Sequence, residues 1–414
     1  MPNQQQYDLF NVVETVFKSN PDRRLTNNEL YNAVASSAGI TQAALHATVP
    51  IGTSGSPRST VTRAIRWHQQ TLKALDVIER VPGERGIWQL TEKARKDLHR
   101  VKPGVTLLGF STSLGLALWG TSPTALAGLE EPITCVLTSP PYPLQSPRAY
   151  GNPSATEFAD FICAVLEPLV PKLSAAGSVV LNVSNDIFLP KSPARSTYLE
   201  RMVIAIEDRL GLSLMDRLIW ENRSKAPGPL QWASKTRQQL NVAWEPVYWF
   251  AKDPRQCKAD NRRVLQPHTD RHKQLITQGG ERRTASYGDG AFRLRPGSYG
   301  QATAGAIPKN VLQFGHACGI GRQHRQALSA AGLPTHSAPF PLALAEFLVQ
   351  FLSDTGDVVI DLFAGRCMTG LAAERLGRRW ICVESVLEYV QGASMLFRGV
   401  HDLWVNPDLN APGS

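Results

Sequence analysis

Far down the chain, the apolar run Val358 to Phe363 opens directly into Ala364-Gly365-Arg366-Cys367-Met368-Thr369-Gly370. A strand that ends near an acidic residue, Asp361, and a glycine-bearing turn lets backbone approach a ligand closely, as nucleotide-binding α/β sheets do. A second run, Ile133 to Leu137, stops at Ser139-Pro140-Pro141-Tyr142, where two successive prolines fix the turn. Around both runs, strand and helix patterns alternate. That alternation confines residues 102 onward to an α/β fold with a doubly wound, mostly parallel Rossmann-like sheet.

Individual elements follow from spacing. Leu116–Trp119, Ile133–Leu137, Ser178–Val183, Val242–Phe250, Val358–Asp361 and Trp380–Glu384 read as strands. Glu157–Leu173 reads as a helix that Pro168 and Pro171 kink or end. Tyr198–Leu210 is a helix closed by Gly211, Pro341–Leu352 a helix with proline in its first turn, and Thr369–Leu376 a helix ended by Gly377.

The first hundred residues read as a separate domain, 1–101. Tyr7–Phe17 has helical apolar spacing, and Thr26-Asn27-Asn28-Glu29 is a capping-box start for a second helix. A third helix begins near Ser59, with Arg58, Arg63 and Arg66 about its start. Val77–Val81 and Ile87–Leu90 then flank the tip Pro82-Gly83-Glu84-Arg85-Gly86. Three helices and a hairpin outline a winged helix, whose third helix suits a major groove. A protein-docking or dimerisation module fits the same outline.

Lys252 to Lys309 breaks the alternation. It is basic, with Arg262, Arg263, Arg282 and Arg283 among its arginines, and poor in large apolar residues. It divides the rest of the chain into 102–251, the segment 252–310 and 311–414. A long irregular segment inside a compact domain is a recognition surface or a solvated insertion, and its charge favours nucleic acid.

The net charge of +9 agrees with a polyanionic partner. The amino-terminal ten residues lack the apolar core of a signal peptide, and the longest apolar candidate, Val105–Trp119, is too short and broken to span a bilayer. Six scattered cysteines without a C-x-x-C pair indicate a reduced, intracellular chain. Around His316, Cys318 and His324, or His268 and His272, the spacing matches no standard zinc pattern, so no metal is expected.

The two turns have complementary chemistry. An exocyclic amino group on a base is a poor nucleophile, because its lone pair is delocalised into the ring. The Ser139 hydroxyl and the Pro140 carbonyl can accept its two N–H groups, while Tyr142 stacks on the base face. A base must leave the duplex to reach such a pocket. Glu384, ending the next strand after the glycine turn, suits ribose hydroxyls. Together the turns point to methyl transfer from S-adenosylmethionine to a base amino group.

At this level the chain resembles the β-group DNA amino-methyltransferases, specifically the PvuII-type cytosine-N4 enzymes. The matching stretches are Thr138–Tyr142, Pro193–Ser196, Pro229–Trp232, Ile307–Gln313, His336–Pro341 and Asp361–Glu384, within Thr106–Tyr389. The resemblance implies a methyltransferase sheet, with 102–251 as its catalytic half and 311–414 as its S-adenosylmethionine-binding half. It implies that Ser139–Tyr142 bind the target amino group. It implies a cofactor site made by Asp361, Phe363, Gly365, Thr369 and Glu384, with His336, Phe340 and Pro341 packing over the methionine end. It also implies target recognition by the segment 252–310, with Arg195 among the DNA contacts. Implied partners are double-stranded DNA and a cognate restriction endonuclease, for a monomer or homodimer at the nucleoid of a prokaryotic cytoplasm. One departure stands out: Arg366 and Cys367 replace the small or polar residues usual after the first glycine.

By the habit of the resembled family, serine rather than aspartate before Pro-Pro implies cytosine. Adenine-N6 transfer by the same geometry, and a catalytically silent DNA-binding regulator, remain the alternative readings. Cytosine carbon-5 chemistry needs a cysteine nucleophile, typically after proline, and no Pro-Cys pair exists.

Overall fold

The computed structural model describes residues 4–19, 21–51, 56–74, 77–81, 84, 86–91, 94, 98–144, 153–222, 225, 227–315, 319–335 and 340–409. The tip residues Pro82, Gly83 and Arg85, together with His316, Cys318 and the stretch 336–339, lie outside them.

The amino-terminal part has its own core. Its strands are β1 (Leu25–Thr26), β2 (Thr48–Ile51), β3 (Ser56–Ser59), β4 (Ile78–Arg80) and β5 (Ile87–Leu90), and β1, β5 and β4 form one small antiparallel sheet. Thr26 caps the helix Asn27–Ser37 in a capping box with Glu29, as its sequence predicts. Leu30, Val34, Ile65, Leu72, Ile78 and Trp88 pack into one cluster beneath the helices Gln4–Lys18, Asn27–Ser37 and Thr60–Ala74. A helix at Gln42–His46 and the two-stranded ribbon β2–β3 are additions that the apolar spacing did not reveal.

The remaining strands are β6 (Leu107–Ser111), β7 (Gly115–Trp119), β8 (Ile133–Thr138), β9 (Leu173–Asn182), β10 (Ser213–Glu221), β11 (Trp244–Ala251), β12 (Ala285–Tyr287), β13 (Phe292–Leu294), β14 (Val311–Gln313), β15 (Val358–Asp361), β16 (Arg379–Glu384) and β17 (Trp404–Val405). All but β12 and β13 form one sheet, in the order β14-β10-β11-β9-β8-β15-β16-β7-β6-β17. The central five, β9-β8-β15-β16-β7, are parallel. Antiparallel β11 and β6 flank them, so the whole sheet is mixed.

Helices cover both faces. In β15, Val359 joins the core beneath the helices Leu342–Leu352 and Met368–Arg375, while Val358 and Ile360 join the core beneath Phe158–Leu166 and Tyr198–Leu210. This alternation is the period-two signature of a strand buried on both sides. From β8 the chain moves outward to β9, and from β15 in the opposite direction to β16. The crevice between the carboxyl ends of β8 and β15 is therefore the switch point, where open α/β sheets bind ligands.

Some boundaries moved for local reasons. The helix expected over 157–173 ends at Leu166; Pro168 sits in a single 3₁₀ turn, Glu167–Leu169, and β9 begins at Leu173. The apolar stretch 105–119 is the β6–β7 pair. The segment 252–309 is not wholly irregular: it holds a 3₁₀ turn at Asn261–Val264, a helix at Asp270–Thr277 and the β12–β13 hairpin.

Candidate active site

At the carboxyl edge of the parallel strands, the two turns meet. A cavity of about 360 Å³ is lined by Ser139, Pro140, Pro141 and Tyr142 from the first turn. From the second come Phe363, Gly365 and Arg366, with Glu384 and Ser385 at the end of β16; Gly120, Ser122, Phe161, Phe340 and Tyr389 are among the residues of the remaining wall. Its volume falls within the range of small-molecule pockets.

Buried hydrogen bonds tie the turns together. The Thr138 hydroxyl donates to the Asp361 carboxylate at 2.6 Å, and the Phe363 N–H donates to the same oxygen at 3.2 Å. The Thr369 hydroxyl donates to the Leu137 carbonyl at 3.2 Å. Asp361 and Thr369 thus lie behind the cavity and brace it, each about 1% exposed. Burial pushes the Asp361 carboxyl up to about 6, against the pull of its hydrogen bonds.

Beyond β15 the backbone turns sharply. Gly365 and Cys367 have φ of 51° and 55°, the left-handed region that a non-glycine residue such as Cys367 enters at a steric cost. Gly370 is required for packing: a Cβ there would stand 2.7 Å from the Cys382 sulfur. The Glu384 carboxylate accepts the Gly365 N–H at 2.8 Å and the Val386 N–H at 2.9 Å. Burial raises its pKa, and these backbone N–H groups oppose that rise. Arg366 is 4% exposed and lines the cavity rather than pointing outward. His324 is held down to about 4, chiefly by burial, with the nearby Arg366 charge adding to it.

In the first turn, the Ser139 hydroxyl lies 2.9 Å from the Tyr142 hydroxyl. The Asn182 side-chain amide donates to Tyr142 at 3.2 Å and approaches the Glu245 carboxylate at 3.4 Å, and Lys225 pairs with Glu245 at 3.0 Å. Tyr142 is only 7% exposed, so its hydroxyl belongs to a network as well as its ring to the wall. Sequence reading missed Asn182, Glu245 and Lys225, because no motif marks single polar residues at strand ends.

The other predicted positions are dispersed. Phe340 lines the cavity and Pro341 starts the helix behind it, while His336 falls outside the described residues. Arg195 stacks over the Phe188 ring at 4.7 Å and donates to the Asn185 carbonyl. Arg58 and Arg63 are exposed, and Arg66 donates to the Tyr31 hydroxyl. Arg262 forks onto Asp260, and Arg263 reaches Asp354 at 2.6 Å and two backbone carbonyls. Arg282 and Arg283 are exposed. Among the described residues, no group of three His, Cys, Asp or Glu side chains is placed to hold a metal, and no helix is long and apolar enough to cross a membrane.

A family model described as DNA methylase, for N6 and N4 enzymes, matches residues 133–395. The type II methyltransferase M.PvuII of Proteus hauseri is 33% identical over 289 residues, 70% of this chain and 85% of that relative. The type II methyltransferase M1.MboII of Moraxella bovis is 21% identical over 267 residues, 64% of this chain and 88% of that relative. Among solved structures, the PvuII DNA methyltransferase (cytosine-N4-specific) superposes with a TM-score of 0.55 at 30% identity, covering 69% of this chain and 87% of that one.

Proposed function

The chain belongs to the N6/N4 DNA methylase family, and from that premise we propose that it transfers a methyl group from S-adenosylmethionine to the exocyclic N4 of cytosine in DNA. The observation that carries this reading is the single cavity onto which both Ser139 and Glu384 open.

The donor set suits the cofactor. One Glu384 oxygen accepts only the Gly365 N–H and keeps a lone pair for a ribose hydroxyl, while the other accepts the Val386 N–H and, at 3.4 Å, the Ser385 hydroxyl. Phe340, Phe363 and Tyr389 offer aromatic surface for an adenine ring. Bound S-adenosylmethionine supplies a methyl group on a positively charged sulfur.

The chain's own residues do the rest. The Ser139 hydroxyl and the Pro140 carbonyl accept the two N–H groups of a cytosine turned out of the duplex. Two acceptors placed together draw the nitrogen lone pair out of the ring, so that nitrogen can take the methyl group as its carbon–sulfur bond breaks, and the surplus proton on nitrogen is then given up to water. The Tyr142 hydroxyl, itself held by Asn182, fixes where the Ser139 oxygen sits. The proline-locked turn supplies this placement before the base arrives.

DNA contacts are assigned by charge and exposure. The amino-terminal domain is a winged helix that presents Arg63 on the helix Thr60–Ala74 and Arg58 on the ribbon before it. Arg282 and Arg283 act from the basic segment, whereas Arg263 is engaged with Asp354 and serves the fold. The type II relatives favour a cognate restriction endonuclease and a site of action on bacterial DNA in the cytoplasm. Expression in a methylation-free host, with direct sequencing of modified positions, tests the reading: cytosines modified at one recurring site support it, and unmodified DNA opposes it.

A further inference from the structure

The hairpin β12–β13 carries a feature that neither the cofactor cavity nor the sheet uses. Its register pairs Ala285 with Leu294, Ser286 with Arg293 and Tyr287 with Phe292. Residues two apart on a strand share a face. The face that begins with Leu294, 4% exposed, therefore continues to Tyr287 and Phe292 at the tip, where it is uncovered. Both rings are 48% exposed, with centroids 6.1 Å apart.

The tip is tightly turned. Gly288, Asp289 and Gly290 have φ of 56°, 52° and 90°, and the Ala291 N–H donates to the Gly288 carbonyl at 2.9 Å. The surroundings are cationic: from 281 to 299 four arginines face two carboxylates. One of those carboxylates, Glu281, stands 3.7 Å from Arg283. Among the described residues, Arg282, Arg293 and Arg295 make no ion pair and are exposed.

An exposed aromatic pair on one face of a hairpin, with the exposed Arg293 on the other face and Arg282 and Arg295 flanking it in the chain, suits a polyanion with apolar surface between its charges. Duplex DNA is that partner: phosphates outside, base steps within. A two-stranded ribbon, with strands about 4.8 Å apart, fits a major groove about 12 Å wide. In the minor groove, proteins that insert apolar side chains at base steps combine such wedges with basic residues.

We propose that this hairpin enters a groove of the target duplex, with Tyr287 and Phe292 as an apolar wedge against a base step and Arg282, Arg293 and Arg295 on the flanking phosphates. The proposal rests on the reading that the chain acts on DNA, and it names the element of the basic segment that does the reading.

Fluorescence anisotropy of the full chain on a short duplex carrying a mapped methylation site tests it. The double variant Tyr287→Ala, Phe292→Ala weakens duplex binding about 10- to 100-fold, the range for lost base–aromatic contact, and leaves the salt dependence unchanged. The triple variant Arg282→Ala, Arg293→Ala, Arg295→Ala lowers the slope of log affinity against log salt by about three. S-adenosylmethionine titration of each variant checks folding. If the double variant fails that check, Phe292→Ser alone replaces it, with about a 10-fold loss expected. Duplex affinity within twofold of wild type in a folded aromatic variant overturns the proposal. So does a wild type that pairs in sedimentation while the aromatic variant stays monomeric with duplex affinity intact, since the wedge is then a contact between two copies. A wild type that binds no duplex removes the underlying reading instead.

Discussion

Gly365 donates its backbone N–H to the Glu384 carboxylate at 2.8 Å, so the turn after β15 and the carboxylate that ends β16 form one unit. Neither strand alone makes a nucleotide site. The bond between them aims the carboxylate into the same cavity that Ser139 faces.

Replacing Glu384 with Gln tests that unit. The amide puts a donor where one oxygen now accepts, and it removes the charge. Loss of a charged hydrogen bond of about 1.5–3 kcal/mol corresponds to roughly 10- to 100-fold weaker S-adenosylmethionine binding. Calorimetric titration reads this directly, and unchanged affinity removes Glu384 from the cofactor site.

Ser139→Ala and Tyr142→Phe separate contact from positioning. Ser139→Ala lowers kcat by about 100- to 1,000-fold, the scale seen for one preorganised hydrogen-bonding group. Tyr142→Phe keeps the ring but removes the hydroxyl 2.9 Å from Ser139, and a smaller loss, on the order of 10-fold, is expected. Both variants bind S-adenosylmethionine as wild type does. A Tyr142→Phe enzyme with full kcat shows that the hydroxyl does not position Ser139.

Asp361 gives a pH signature. Its folded pKa, about 6, lies above the ordinary value of 3.8, so the folded state holds the proton longer than the unfolded chain. Stability from this group is fully present below about pH 4 and is lost as pH rises through 6, by something of order 2–3 kcal/mol. Asp361→Asn lacks that loss. The difference in unfolding free energy between wild type and variant, followed by denaturant titration from pH 4 to 7, must therefore tilt against wild type as pH rises. A flat difference contradicts the assignment.

Gly370→Ala tests the close packing of the cofactor-side helix. A methyl group there stands 2.7 Å from the Cys382 sulfur and 3.1 Å from the Trp380 ring. Overpacking of this kind costs about 1–3 kcal/mol, read as a lowered unfolding midpoint. An unchanged midpoint shows that the helix can shift without penalty.

Much of this site was legible in the sequence because its carriers are backbone-shaping residues. Pro140 and Pro141 announce a fixed turn, and Gly365 a tight one, wherever the chain puts them. The strand Val358–Asp361 was found with the bounds its sequence predicts, since Asp357 and Asp361 bracket an apolar stretch buried on both faces. Polar residues that act by proximity were not legible: Asn182 reaches Tyr142 only because β9 lies beside β8. The β12–β13 hairpin was hidden as well, since three-residue strands are too short to show alternation. Arg263, counted by charge among DNA contacts, proves to be tied to Asp354, a partnership that composition does not reveal.

The account stands or falls on the nucleoside it makes. Purified enzyme is incubated with unmethylated duplex DNA and labelled S-adenosylmethionine, the DNA is digested, and the nucleosides are separated by mass. N4-methylcytosine, absent when Ser139→Ala replaces the wild type, is the predicted product. Label found only in N6-methyladenine, or in no nucleoside while S-adenosylmethionine binds normally, contradicts it.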